Sequence, residues 1–151
     1  MEIIKDSVIS KKINIKSDLS ICVEVAEHIH PNQSEFSIDN LVKTSEIIIF
    51  GAANTFQPGD AHINCRNTDY WINLFEKRGY TLIDIFRQKF WNDPLINKAY
   101  AQNTFLYIKN GSKYIDTFSS VPLLNIYHPE LINPHYLNES RSKPILFNDI
   151  D

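Results

Sequence analysis

The stretch 47-IIIFG-51 decides the fold class of this chain. Four consecutive apolar residues, Ile47 to Phe50, end at Gly51 and a turn of small residues. A run of this length is typical of a parallel strand that is buried on both faces. Parallel strands are usually joined by crossover helices, so the stretch predicts an α/β protein.

Segments on both sides of this strand continue an alternation of strands and helices. The predicted elements are strand 18–23, helix 34–42, strand 47–50, helix 68–79 with Thr68 as its N-cap and Gly79 at its end, strand 80–86, helix 94–100 and strand 104–108. Their order predicts a right-handed βαβ series in which the first three strands run in one direction. Scattered prolines after Ser112 predict a C-terminal extension that packs on the domain and frays at its end.

Composition and charge exclude several classes of function. The 151 residues include 15 Lys plus Arg and 18 Asp plus Glu, a net charge of -3. We therefore expect no nucleic-acid partner and no attraction to anionic lipid. The apolar runs are far shorter than the roughly 20 residues of a membrane span, and the first residues lack a secretory pattern. Two cysteines provide no disulfide framework, and together these features predict a cytoplasmic protein.

Two polar loops follow the first two strands, at the edge where open α/β sheets bind ligands. The first, 24-EVAEHIH-30, sets two carboxylates beside two imidazoles. Such groups can share protons or bind a metal ion, although the spacing is not that of HExxH and we assign no metal site. Alternatively, Glu24 and Glu27 are solvated acids at a helix start, where the helix dipole favours them.

The second loop, 51-GAANTFQPGDAHIN-64, is long and rich in turn residues, which favours a functional role. His62 and Asn64 alternate, so that both could face one cavity; alternatively, they only hold the loop to itself. Trp71 is expected in the core. The sequence has four glycines and neither GxGxxG nor GxxxxGK[ST], so a self-sufficient nucleotide site is not expected.

Several separated stretches occur in the order of a known family. DLSICVEVAEHI (18–29), SEIIIFGAANTFQPGDAHIN (45–64) and DYWINLFEKRGY (69–80) closely resemble class I SAM-dependent methyltransferases. WNDPLINKAYAQNTFLYI (91–108) and IYHPELI (126–132) resemble the late strands and the C-terminal extension of a bacterial-type group of these enzymes. The resemblance covers most of the chain.

The resemblance implies a Rossmann-like methyltransferase fold with a partial mixed sheet. The four predicted strands would be the family's fourth, fifth, sixth and seventh, lying in the order fourth, fifth, seventh, sixth, with the seventh antiparallel. Residues 1–110 would form a partial methyltransferase-like α/β domain and residues 111–151 the extension. The family's glycine-rich strand and its acid-ended second strand have no counterpart here, which implies a truncated or split form that carries the substrate-facing half.

The resemblance also implies SAM as the cofactor and a set of site residues. SAM would lie against Glu24, Val25, Ala26 and His28, although we expect weak or absent SAM binding by this chain alone. His62 is the first candidate for a catalytic base and Glu27 the second. The candidates for substrate binding are Asn54, Phe56, Asn64 and Tyr70, and the acceptor would be a small molecule or a glycan.

Two functions are therefore expected as alternatives: a SAM-dependent methyltransferase, or a non-catalytic remnant of one that serves as a binding or assembly module. In either case strand 18–23 would lie at a sheet edge. An apolar edge without lysine, proline or glycine invites further pairing. The chain's own Ile3 to Ile9, a second copy or a separate chain could cover it, and we expect a homodimer or a complementing chain at Asp18 to Val23.

Overall fold

A computed structural model describes residues 14–57, 59–118 and 126–131. Its four strands are β1 (Ser20–Val23), β2 (Ile47–Gly51), β3 (Tyr80–Ile83) and β4 (Phe105–Lys109). They form one sheet in the order β1-β2-β4-β3. β1 pairs parallel with β2, and β4 is antiparallel to both of its neighbours. This order and these directions agree with the arrangement that the resemblance implies for the four strands.

Four α-helices and four short 3-10 helices connect and flank the strands. The α-helices are α1 (Ser34–Thr44), α2 (Thr68–Glu76), α3 (Arg87–Phe90) and α4 (Lys98–Asn103), and the 3-10 helices are Ala26–His28, Pro31–Gln33, Ile115–Thr117 and Pro129–Leu131. The protein is thus a mixed α/β fold with a four-stranded mixed sheet. None of the helices in the described part of the chain has the length and apolar character that a bilayer crossing requires.

Most of the core lies on the sheet face that α1 and α2 cover. Phe50 of β2 packs against Trp71 and Phe75 of α2, and Phe75 stacks on Tyr107 of β4 with 3.9 Å between the ring centres. Trp71 is buried, which confirms its predicted place in the core. Close packing of this kind fixes the strands from which the polar loops emerge.

The opposite face of the sheet is covered less completely. Ile83, Leu106 and Ile108 form a smaller apolar cluster there, against which residues of the 115–118 segment pack. On β1, Ile21 is 67% exposed. Residues 126–128 are buried, and they contact α4 and its surroundings: the backbone N–H of His128 donates to Gln102 Oε1, and the His128 ring lies 4.9 Å from that of Trp91.

Several predicted boundaries differ from the structure, among them the end of α2, which lies at Glu76 rather than at Gly79. The predicted helix 94–100 begins only at Lys98, because Asn97 caps it by accepting a hydrogen bond from the Ala99 backbone N–H at 2.9 Å. The predicted strand 80–86 ends at Ile83, since buried Asp84 turns to form an ion pair with Arg87 of the unpredicted helix α3. Thr68 is the first residue of α2 rather than its cap. The predicted fraying of the C-terminal end falls on residues 132–151, outside those described.

Candidate functional site

The carboxyl ends of β1 and β2 meet at one edge of the sheet, and the two polar loops begin there. Glu24 directly follows β1, and its backbone N–H donates to the Gly51 carbonyl at 2.9 Å. Its φ of 53° lies in the left-handed region, which is uncommon for a residue other than glycine. Such conformations are concentrated at functional sites because the surrounding structure must hold them.

A cluster of one carboxylate and two imidazoles occupies this edge. The ligand-type atoms of Glu27, His28 and His62, which we call the Glu27 cluster, all lie within 4.8 Å of one another. The rings of His28 and His62 meet edge to face with 5.0 Å between their centres. Although 33 residues separate them, the loop is held in place because the backbone N–H groups of Ile63 and Asn64 both donate to the Glu27 carbonyl at 2.9 Å.

Glu27 is the unusual member of the cluster. Its side chain is fully buried, and neither carboxylate oxygen has a hydrogen-bond partner among the described residues. Burial, with a smaller contribution from the Glu24 charge, raises the Glu27 pKa to about 7, against the opposing effect of nearby backbone amides and of His28. A carboxyl group with a pKa near the working pH can both accept and release a proton.

The same three side chains could hold a divalent cation. One carboxylate and two imidazoles form a common donor set for zinc and related ions. Donor atoms lie about 2.0–2.2 Å from a tetrahedrally bound ion, so two of them lie about 3.4 Å apart. The donor atoms of the Glu27 cluster lie within 4.8 Å of one another, so side-chain movement would have to bring them closer to hold an ion.

A set of buried amides supports the cluster from one side. Gln57 donates from Nε2 to Glu24 Oε2 at 2.9 Å, and its backbone carbonyl lies 3.4 Å from His62 Nδ1. Asn103, at the end of α4, donates from Nδ2 to Gln57 Oε1 at 2.6 Å. Sequence reasoning missed Gln57 and Asn103, because isolated amide residues carry no motif; only the position of Asn103 beside the start of a predicted strand could have suggested it.

The other site residues predicted from the sequence do not lie together in the structure. Ala26 is buried in the core cluster, whereas Val25 is largely exposed. Asn64 is buried and donates to Ser34 Oγ at 2.9 Å, so its side chain ties the loop to the start of α1 rather than to the loop itself. Of the remaining three, Asn54 donates to Asn103, Phe56 lies against Tyr127, and Tyr70 lies against Trp71 and beneath Arg66. Only Glu24, Glu27, His28 and His62 converge on the cluster.

No protein-family model and no curated protein matches the chain. The chain is similar to the crystal structure of the small RNA methyltransferase HEN1, with 12% sequence identity and a TM-score of 0.49. The match covers 71% of this chain and only 16% of that one. At this identity and score, the likeness carries no argument about activity.

Proposed function

We propose that this chain belongs to a SAM-dependent methyltransferase, in which it forms the half that faces the methyl acceptor. One observation carries the proposal: the strand order β1-β2-β4-β3, with two parallel strands followed by an antiparallel β4. That order is the one implied by the sequence motifs, and it leads both polar loops to the same sheet edge. SAM as cofactor and a small-molecule or glycan acceptor are parts of the proposal.

In this function the Glu27 cluster would act on the acceptor. Methyl transfer from a sulfonium is an in-line displacement, so closeness and orientation supply much of the acceleration. A weakly acidic acceptor must also lose a proton, and His62 and Glu27 are the groups positioned to take it. The Glu27 pKa of about 7 suits this task near neutral pH.

Amide chemical shifts in the presence of millimolar SAM test the proposal. We expect weak binding, because the sequence lacks the glycine-rich turn and the ribose acid that orient the cofactor. The shifts should change at Glu24 to His28 and leave Thr44, at the opposite end of the sheet, unaffected. Shifts that change equally with adenosine alone, or that spare Glu24 to His28, would contradict the assignment of SAM to this edge.

We also propose that β1 pairs with a second copy or with a complementing chain. β1 is an edge strand of the described sheet, and its residue Ile21 is 67% exposed. An apolar edge with free backbone hydrogen-bonding groups is a template for further pairing.

A second candidate function is a non-catalytic module that binds a divalent cation. The fully buried Glu27 carboxylate favours it, because neither oxygen has a partner among the described residues and two imidazoles lie within 4.8 Å. Titration with Co²⁺, followed by its visible absorption, tests this candidate. Wild type should bind Co²⁺, Glu27→Gln should lose most of the affinity, and Glu35→Gln, at an exposed helical position, should not. Equal affinity in all three proteins would exclude the Glu27 cluster as a cation site.

A further inference from the structure

Three buried amide side chains link Glu24, at the carboxyl edge of the sheet, to residues 126–131, the C-terminal segment of the described structure. The backbone N–H of His128 donates to Gln102 Oε1. Gln102 Nε2 donates to Asn103 Oδ1 at 2.9 Å, and Asn103 Nδ2 donates to Gln57 Oε1 at 2.6 Å. Gln57 Nε2 then donates to Glu24 Oε2 at 2.9 Å. We call these bonds the amide relay.

The chemistry of its two ends fixes the direction of the amide relay. A backbone N–H can only donate, and an ionised carboxylate can only accept. Each amide between them must therefore turn its oxygen toward His128 and its NH₂ group toward Glu24. Every amide in the relay has this orientation, so each NH₂ group donates in the direction of Glu24.

One further contact and the backbone conformation of Glu24 show that the amide relay is built around this residue. Asn103 Nδ2 also lies 3.4 Å from Glu24 Oε1, so both carboxylate oxygens accept from the relay. The backbone of Glu24 is held at a φ of 53°. Gln102 and Asn103 are buried, and a buried, fully satisfied polar network specifies a single arrangement of its members.

We infer that Gln57 and Asn103 are positioning residues that hold the Glu24 carboxylate at the carboxyl edge of the sheet, beside the Glu27 cluster. Gln57 is the connecting residue, because its side chain holds Glu24 while its backbone carbonyl contacts His62. The result is a preset negative charge, which favours a cationic group in the ligand over an anionic one. The inference concerns the same site as the proposed function but does not depend on methyl transfer.

Cys65 provides a reporter for the position of Glu24 that needs no ligand. Its Sγ lies 3.9 Å from the Gln57 carbonyl. Burial, and then the charges of Glu27 and Glu24, raise the Cys65 pKa. Cys22, the other cysteine, is buried with its pKa raised to about 12 and should not compete. The pH midpoint of alkylation therefore reports the nearby charges, whereas the plateau rate at high pH reports exposure of the thiol.

The experiment measures the alkylation of Cys65 by iodoacetamide against pH. Glu24→Gln removes one charge and should move the midpoint to lower pH. Gln57→Met preserves the shape of the side chain but releases the carboxylate, so it should give most of that shift. Thr44→Val, a buried and nearly isosteric change at the other end of the sheet, should give none. An unchanged midpoint in Glu24→Gln, or one that moves there but not in Gln57→Met, overturns the inference.

The direction of the amide relay permits a second test by double substitution. Asn103→Asp alone removes the donor to Gln57, so an acceptor then faces an acceptor. When Glu24→Gln is added, the side-chain amide of Gln57 can rotate by half a turn. Its NH₂ group then donates to the carboxylate introduced at position 103, and its oxygen accepts from the amide introduced at position 24. The urea midpoint of the double variant should therefore exceed the value expected from the two single variants. Additive losses would overturn the relay, and if Asn103→Asp alone does not fold, recovery of folding in the double variant supports it.

Discussion

At the scale of single residues, the burial of Glu27 matters most. The raised pKa of about 7 means that the folded protein binds this proton more tightly than the unfolded chain, whose Glu pKa is near 4.5. The resulting stabilisation is fully present below the unfolded pKa and is lost as the pH rises through about 7.

Urea unfolding at pH 5 and pH 8 tests this effect. From pH 5 to pH 8, the free energy of unfolding of wild type should fall by on the order of 2–3 kcal/mol more than that of Glu27→Gln. Subtracting the variant removes the titration of groups that both proteins share. Glu35→Gln, at an exposed position, should behave as wild type does. If the difference in free energy of unfolding between wild type and Glu27→Gln does not change with pH, Glu27 is not buried as an acid.

The residue types of the cluster were visible in the sequence, but its geometry was not. Glu24, Glu27 and His28 follow a predictable strand, and His62 follows the next one, so their meeting at one edge could be predicted. The full burial of Glu27 depends on the 59–64 loop closing over it. Gln57 and Asn103 are brought to Glu24 from 33 and 79 residues away by packing that no local pattern encodes.

At the scale of elements, the junction of β2 with the end of α4 is closely packed. A Cβ added at Gly51 would lie 2.9 Å from the Asn103 carbonyl oxygen and 3.3 Å from Val23 Cγ1. The carbonyl belongs to the backbone and cannot turn aside. Gly51 is thus required for close approach of two segments, a different requirement from that of Gly111, whose φ is 77° and where an added Cβ would meet no neighbouring atom of the described structure within 4 Å.

We expect Gly51→Ala to lower the free energy of unfolding by about 1–3 kcal/mol through overpacking. The change should also displace Asn103 and so move the pH midpoint of Cys65 alkylation. Gly111→Ala should cost about 1 kcal/mol through backbone strain alone and leave that midpoint unchanged. Chemical denaturation and the alkylation assay together check both expectations. A Gly51→Ala variant as stable as wild type would show that the junction has room.

The elements themselves were predicted with differing success for physical reasons. β2 has a continuous apolar run and α2 has apolar residues at helical spacing, and both lie close to where the sequence places them. The segment between β3 and β4 was less predictable, because its local structure depends on the buried pair Asp84 and Arg87 and on the cap at Asn97. Side-chain contacts of this kind override weak intrinsic preferences for helix or strand.

At the scale of the whole molecule, the edge strand β1 governs how the protein meets other chains. Its two faces differ: Cys22 is buried in the core, whereas Ile21 is 67% exposed. A charge at Ile21 therefore tests pairing without disturbing the core.

If β1 pairs with a second copy, wild type should sediment as a dimer, and Ile21→Lys should sediment as a monomer, because edge lysines discourage strand pairing. Ile63→Lys, at a loop position that is 56% exposed, is the matched control and should remain dimeric. Analytical ultracentrifugation across a range of concentrations makes the measurement. A wild-type monomer at every concentration would reject self-pairing and leave a complementing chain or the chain's own Ile3 to Ile9 as the cover of β1.

The two tryptophans give the molecule separate optical reporters. Trp71 packs against Phe50 in the core, whereas Trp91 lies against His128 of the 126–131 segment. Release of that segment would bring water to Trp91 and shift its fluorescence to longer wavelengths, while Trp71 emission would change only when the core opens. Comparing Trp71→Phe with Trp91→Phe during unfolding would therefore reveal whether the 126–131 segment detaches before the core opens or together with it.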